Sequence, residues 1–293
     1  MNGPDPAWGV DSEYGTLLDV LFGRAENFRW LPTSAISRAT LDAGHVYDRG
    51  RAAAQHAEMV SAYEDAGVRC HFLEPDPALP YQVFARDSSA MGPNGTFITQ
   101  LSQWWRRGEY AAVIKFYERN DVPVRGMITA GALEGGDVMI VEPGTMLIGA
   151  GEERTQEVAA RQLAGWMQED GWEVRVEPIP SRYVHIDVLC AMLAERLAAV
   201  CAEVLSASVL EWLRAKGFEL IEFSAEDAFR VGGNAISLGG ETILSSAAGA
   251  NLNEALRARG LTVHDPDLSM FTQGGGGAHC LEQALRRERL ATG

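Results

Sequence analysis

Four polar side chains in this sequence have the types needed for a covalent catalytic cycle. Cys280 follows four glycines in "GGGGAHC", His185 stands in "HID", Glu134 in "LEGGDV" and Asp87 in "FARDSS". A thiolate is a nucleophile, an imidazole transfers protons near neutral pH, and carboxylates attract cations. These groups together suit attack by sulfur on a carbon that carries positive charge.

Each of these residues also has a plain structural explanation. The glycine run would serve as a flexible linker, Cys280 would pack as a small buried hydrophobe, and Asp87 would cap a turn or pair with Arg86. Strand alternation places His185 and Asp187 on one face, where they would also form a satisfied polar pair. The combination favours catalysis, because the four candidates end separate apolar segments of one scaffold.

Short apolar runs typical of strands alternate with helical stretches along the chain. The predicted strands or hairpins cover 17–23, 68–75, 95–100, 137–150, 172–179, 197–205, 218–223, 234–246 and 261–267. The predicted helices cover 40–66, 108–120, 154–170, 207–216, 250–259 and 281–289. No linker rich in proline or serine divides the chain, so these elements predict one α/β domain over 1–293 with a repeated strand-strand-helix-strand rhythm.

The composition indicates a globular protein with a strong negative charge. The chain has 293 residues, 46% of them hydrophobic, and a formal net charge of −15. This charge repels phosphate backbones and anionic lipid, so it argues against nucleic-acid and membrane partners and favours a small cationic ligand. The N-terminus "MNGPDPAWGVDSEYG" lacks the pattern of a signal peptide, so we expect a cytoplasmic protein. Four scattered cysteines without a CxxC pair predict neither a zinc site nor a disulfide framework.

In this order and at these separations, the motifs resemble those of the guanidine-modifying enzymes of the pentein superfamily. That superfamily includes arginine deiminase, dimethylarginine dimethylaminohydrolase, agmatine deiminase and the amidinotransferases. The resemblance runs from "SEYGTLLDVLFG" through "FARD", "LEGGDV", "GEERT", "HIDV" and "GGNAISLG" to the glycines before Cys280. It implies an α/β propeller of five blades and pseudo-fivefold symmetry, built from repeated ββαβ units around a central active-site channel.

The resemblance also implies a role for each candidate residue. Cys280 would be the nucleophile, and His185, oriented by Glu134, would transfer protons to the departing amine and from the incoming water. Asp87 and Asp187 would hold the guanidinium group of the substrate. This chemistry needs no metal and no organic cofactor.

Two arginines bear on the choice of substrate. Arg106, or its neighbour Arg107, in "QWWRRGEY" and Arg154 in "GEERTQ" stand where the superfamily members that act on arginine grip its α-carboxylate. The resemblance therefore implies arginine or an N-substituted arginine as substrate, hydrolysed to a ureido product and ammonia or an alkylamine. Amidino transfer to an amine acceptor is the alternative, and a non-catalytic binding protein of the same fold is the lesser one. A homodimer is left open.

Overall fold

Five small sheets of three strands each make up the described part of the molecule. The computed structural model describes residues 8–290, so the first seven residues of the N-terminal stretch and residues 291–293 lie outside it. The strands are β1 (Leu17–Phe22), β2 (Arg69–Phe72), β3 (Ser89–Gly92), β4 (Gly95–Ile98), β5 (Val124–Met127), β6 (Val138–Glu142), β7 (Thr145–Ala150), β8 (Glu173–Pro178), β9 (Cys190–Ala194), β10 (Leu197–Val200), β11 (Glu219–Glu222), β12 (Ile236–Gly239), β13 (Thr242–Leu244), β14 (Thr262–His264) and β15 (Glu282–Arg287).

Each sheet is built in the same way. Two strands form an antiparallel hairpin, and the second of them pairs in parallel with a third strand that follows a helix, as in β3-β4-β5, β6-β7-β8, β9-β10-β11 and β12-β13-β14. A parallel pair needs such a crossover because its strands run in the same direction. The helices are α1 (Ala35–Asp42), α2 (Arg49–Asp65), α3 (Glu109–Arg119), α4 (Glu157–Glu169), α5 (Ala207–Ala215), α6 (Ala225–Phe229), α7 (Ala250–Arg257) and α8 (Ser269–Thr272).

The crossover helices bury one face against their own sheets. In α4, Ala160, Leu163, Ala164 and Met167 are buried, and their spacing of three and four residues places them on one side of the helix. All six residues of β7, which pairs with β6 on one side and β8 on the other, are buried. This repeated construction confirms the predicted strand-strand-helix-strand units.

The first sheet joins the two ends of the described chain. Strand β15 pairs antiparallel with β1, with Val20 opposite Ala284, and β1 pairs in parallel with β2. The predicted closing helix over 281–289 is therefore wrong. The segment "EQALRR" is rich in helix-forming residues, but pairing with β1 and burial of five of its six residues outweigh that propensity.

Adjacent sheets pack in chain order around a centre. Strand β6 contacts β9, β9 contacts β12, β12 contacts β1, and β15 contacts β3. The predicted pseudo-fivefold α/β architecture of ββαβ units is thereby confirmed. One boundary differs, because the helix expected over 40–66 is two helices, α1 and α2, and Asp48 caps the second by accepting a hydrogen bond from Arg51 N.

Among the helices of residues 8–290, none combines the length and apolar character needed to cross a bilayer.

Candidate active site

The candidate catalytic residues lie at equivalent places in the five repeats. A short turn directly precedes the first strand of each hairpin, at 85–88 before β3, 135–137 before β6, 186–188 before β9, 231–233 before β12 and 278–280 before β15. These turns carry or adjoin Asp87, Glu134, His185, Asn234 and Cys280. Because the sheets surround one centre, the same position in each repeat delivers a polar side chain to the same place.

Cys280 is a buried thiol beside a carboxylate. Its Sγ lies 3.3 Å from Asp187 Oδ2 and 3.6 Å from Asn234 Oδ1. Burial, followed by the negative charges of Asp187 and Asp87, raises the pKa of this thiol well above its usual value. The thiol is therefore neutral until a positive charge enters the site.

His185 is held by Glu134. Its Nε2 donates to Glu134 Oε2 at 2.8 Å, and its Nδ1 lies 3.7 Å from Asp87 Oδ1. Burial opposes the charged imidazolium, but Asp87, Asp137 and Glu134 outweigh it and raise the pKa of His185 to about 9. His185 is thus a protonated acid at neutral pH. Gly136 permits this placement, since a Cβ there would lie 2.5 Å from His185 Nδ1.

Glu134 is kept ionised by its neighbours. Its Oε2 also accepts from Arg154 Nη1 at 3.4 Å, and its Oε1 accepts from Ser102 N at 3.0 Å. Burial alone would raise the pKa of Glu134, but the charges of Arg154 and His185 hold it well below the usual value. An ionised Glu134 can therefore orient His185 throughout the neutral range.

Two carboxylate oxygens beside the thiol accept no hydrogen bond. Asp87 Oδ1 and Asp187 Oδ1 are both buried, and His185 Nδ1 lies 3.7 Å from the Asp87 oxygen, beyond hydrogen-bond distance. A guanidinium group carries several N–H donors and a positive charge, which is what such oxygens lack. Asp187 lies 3.3 Å from the Cys280 sulfur and Asp87 lines a pocket next to it, so these acids make the surroundings of the sulfur suited to a planar cation.

A small pocket of about 20 Å³ adjoins Cys280; we call it the Cys280 pocket. Tyr81, Phe84 and Val184 form part of its wall, Ser34 and the glycines cover it, and Asp87, His185 and Arg154 supply its charged groups. Its lining is Ser34, Tyr81, Phe84, Asp87, Arg154, Val184, His185, Gly274, Gly275, Gly276 and Cys280. The glycine run is thus a wall of the pocket and not a linker.

The two arginines of the predicted carboxylate clamp lie in different surroundings. Arg154 lines the Cys280 pocket. Arg106 does not, because it is buried and donates to both oxygens of Glu109 at 2.8 Å and to Asp87 Oδ2 at 2.8 Å. Its donors are already used by carboxylates of the protein. The structure therefore does not support Arg106 as a substrate clamp, and it makes Arg106 the residue that holds Asp87.

Asp187 does not occupy the strand face predicted for it. His185 precedes a short 3-10 turn, Ile186–Val188, and the strand begins only at Cys190. His185 and Asp187 are nevertheless both at the site, because the turn bends the chain there. Asp187 Oδ2 accepts a hydrogen bond from His279 Nδ1 at 2.9 Å, and although burial raises the pKa of Asp187, this contact lowers it overall.

Sequence reasoning missed Asn234. Its Nδ2 donates to Asp187 O at 3.0 Å, and its Oδ1 accepts from His279 N at 2.9 Å. Asn234 therefore links the turn that carries Asp187 to the turn that carries Cys280. The signal was available in "GGNAISLG", which places a polar residue before β12 where the other repeats place theirs.

One group of buried side chains has the spacing of a metal site. It consists of Asp87, Glu134 and His185, whose possible ligand atoms all lie within 4.8 Å of one another. Glu134 Oε2 already contacts His185 Nε2, and Arg106 Nη1 and Arg154 Nη1 lie 3.8 and 3.4 Å from the same oxygen. The positive charges of these arginines compete with a cation. We interpret the trio as part of an ion-pair network.

The fivefold ββαβ arrangement, with a cysteine, a histidine and carboxylates at its centre, defines a protein of the pentein superfamily. Residues 33–287 match the family model described as N,N dimethylarginine dimethylhydrolase, eukaryotic, and the chain belongs to this family. Members of this family are amidinohydrolases, which act on C–N bonds.

Individual relatives are distant. The chain is 25% identical over 278 residues to the uncharacterized protein YkgA of Bacillus subtilis, with 94% of each chain covered. It is 26% identical over 265 residues to an arginine deiminase of Listeria monocytogenes, covering 75% of this chain and 63% of that one.

Two solved structures show the same fold. A dimethylarginine dimethylaminohydrolase of Pseudomonas aeruginosa, in complex with citrulline, has a TM-score of 0.76 at 22% identity and covers 91% of this chain and 98% of its own. The N-terminal domain of ArgZ, an arginine dihydrolase of cyanobacteria, has a TM-score of 0.79 at 18% identity and covers 92% of this chain and 98% of its own.

Proposed function

We propose that the protein is a cysteine-dependent hydrolase of an arginine-type guanidino substrate. It would convert arginine or an N-substituted arginine to a ureido product, with release of ammonia or an alkylamine. One observation carries the proposal: Cys280 Sγ lies 3.3 Å from Asp187 and shares a pocket with Asp87, and each of these buried carboxylates has an oxygen that accepts no hydrogen bond. A guanidinium cation supplies the missing donors.

The first step is formation of the thiolate. Binding of the cation between Asp87 and Asp187 stabilises negative charge on Cys280, whose proton is released to solvent. The thiolate then attacks the central guanidinium carbon and forms a C–S bond and a neutral tetrahedral adduct. Substrate binding thereby activates the nucleophile.

His185 completes the first half of the cycle. Its imidazolium donates a proton to one nitrogen of the adduct, the C–N bond breaks, and the amine leaves. The product on the enzyme is an S-alkylthiouronium cation attached to Cys280. Glu134 stabilises the imidazolium beforehand and keeps the ring in place through the 2.8 Å hydrogen bond.

Water completes the second half. His185, now neutral, removes a proton from a water molecule, whose oxygen bonds to the thiouronium carbon. The C–S bond then breaks, the sulfur leaves as a thiolate, and the carbon retains the oxygen as the carbonyl of the ureido product after loss of one proton. His185 is again an imidazolium and Cys280 is ready for the next substrate.

Arg154 supports an amino-acid substrate. Its guanidinium lines the pocket, and its Nε is buried without a hydrogen-bond partner, so it can receive a carboxylate. Arginine and its N-substituted forms carry this carboxylate, whereas agmatine lacks it. We therefore propose arginine or an N-substituted arginine in preference to agmatine.

The direct test is turnover of arginine, N-monomethylarginine and N,N-dimethylarginine by the purified protein, with and without ornithine or glycine. We expect a ureido product that does not depend on the added amine, and Cys280→Ser should bind substrate without turning it over. A new guanidino compound formed only with the amine would indicate amidino transfer instead. A wild-type protein that binds these guanidines but turns none of them over would support the non-catalytic alternative.

A further inference from the structure

Behind Cys280, three buried charged side chains stand in a row. His279 Nδ1 donates to Asp187 Oδ2 at 2.9 Å, and His279 Nε2 lies 3.7 Å from Glu13 Oε2. Glu13 comes from the segment before β1, Asp187 from the turn before β9, and His279 from the turn before β15. The row therefore joins three segments of the chain that belong to two of the five repeats, and none of the steps above uses His279 or Glu13.

His279 is placed to be doubly protonated. Each of its ring nitrogens faces a carboxylate, so each can carry a proton. Burial and Arg86 lower the pKa of His279, but the hydrogen bonds to Asp187 and Glu13 outweigh them and raise it. An imidazolium between two carboxylates is the charge state that satisfies both contacts.

Asp187 Oδ2 is shared between this row and the nucleophile. It accepts from His279 Nδ1 and also lies 3.3 Å from Cys280 Sγ. A positive charge on His279 offsets part of the Asp187 charge that the sulfur experiences, and so favours the thiolate. The charged or titratable groups that face His279 or Cys280 are Glu13, Arg86, Asp87, Arg154, His185, Asp187 and Glu282.

We propose that His279 is a positioning residue whose positive charge, held in place by Glu13 and transmitted through Asp187, sets the pH at which the Cys280 thiolate forms. The role of that thiolate in catalysis rests on the proposed function. The effect of His279 on the thiol does not, because it can be measured without turnover. This separates the two proposals experimentally.

The test is the rate at which 2-chloroacetamidine alkylates Cys280 as a function of pH, followed by mass spectrometry of the peptide that contains Cys280. In His279→Asn the side-chain amide can still donate to Asp187, but the positive charge is gone. We expect the midpoint of the rate profile to rise by about one pH unit, which makes labelling about tenfold slower below the midpoint. The rate at high pH should return to the wild-type value.

His56→Asn is the matched control. His56 is also buried, and burial lowers its pKa to about 4, so it carries no charge at neutral pH. It packs against Phe22 and Phe271 and makes no contact with Asp187. We expect this variant to lose stability but to keep the wild-type midpoint.

Two results would overturn the proposal. One is a His279→Asn protein with the wild-type midpoint, and the other is labelling slowed equally at every pH, which would indicate a structural role only. If the variant does not fold, NMR of the wild-type histidine ring decides the question: the proposal requires a charged His279 at pH 7.5, and a neutral ring contradicts it. Wild-type protein that shows the pH-dependent labelling but no turnover would contradict the proposed function alone.

Discussion

Glu134 Oε2 accepts a hydrogen bond of 2.8 Å from His185 Nε2, and both residues are almost completely buried. The carboxylate is one of three that raise the pKa of His185 to about 9. His185 is therefore protonated below this pH and loses its proton as the pH rises through it. The contact fixes the pH range in which His185 can act as an acid.

Replacement of Glu134 by Gln should lower the pKa of His185, because the amide carries no charge. We expect the alkaline limb of the kcat/KM profile to move from about pH 9 toward neutral pH and the maximal rate to fall by about 10²-fold. Glu177→Gln is the control, since Glu177 is buried in β8, where it accepts a hydrogen bond from Ser206 N and lies 3.8 Å from Arg175 Nη2. An unchanged alkaline limb in Glu134→Gln would mean that another group acts as the acid.

Replacement of Asn234 by Ala should affect both stability and rate. The change removes a donor to Asp187 O and an acceptor for His279 N, so we expect a loss of about 1–3 kcal/mol of unfolding free energy. The turn of Cys280 also loses its link to Asp187, so kcat should fall. Asn253→Ala removes a comparably buried and hydrogen-bonded amide elsewhere. It should lose similar stability in urea titrations while keeping kcat, and equal losses of kcat in both variants would argue against a special role for Asn234.

Replacement of Gly276 by Ala should damage the Cys280 pocket. A Cβ at this position would lie 2.3 Å from Phe84 Cε1, so the aromatic wall must shift. We expect KM to rise at least about tenfold and the melting temperature to fall. The first change corresponds to a loss of binding free energy and the second to a loss of unfolding free energy, each on the order of 1–3 kcal/mol. Gly165→Ala in α4 meets no atom within 4 Å and should raise stability by about 0.5–1 kcal/mol without a change in KM. A normal KM in Gly276→Ala would show that substrate binds elsewhere.

Replacement of Arg154 by Gln should discriminate between substrates. Loss of a charge-assisted contact to the α-carboxylate is expected to raise KM for arginine by about 10- to 100-fold and to leave KM for agmatine nearly unchanged. Arg161→Gln, which removes an exposed arginine on α4, should change neither value. A parallel rise for both substrates would indicate that Arg154 acts only through its pair with Glu134.

The repeated architecture was predictable because hairpins, helices and glycine turns alternate visibly in the sequence. The motifs around Cys280, His185, Glu134 and Asp87 were also predictable as a cluster, since each ends an apolar segment. The structure brings these four residues together, which is the geometry that the proposal requires.

Other features depend on tertiary contacts that local sequence does not encode. Residues 282–287 favour a helix by composition, yet the free edge of β1 makes them a strand. Arg106 looked available for a substrate, yet Glu109, three residues along the chain, occupies its guanidinium. His279, to which the sequence motifs assigned no catalytic role, reaches the site because residues 278–280 form a turn and not a strand.

The closing pair of β1 and β15 has a consequence for synthesis of the protein. The strand that completes the first sheet leaves the ribosome together with Cys280, the proposed nucleophile, after the other fourteen described strands. A nascent chain that stops short of Cys280 would leave one edge of β1 unpaired. It would also carry the carboxylates Asp87, Glu134 and Asp187 without the Cys280 thiol. The proposed thiol chemistry and the pairing of β15 with β1 therefore become possible in the same stretch of translation.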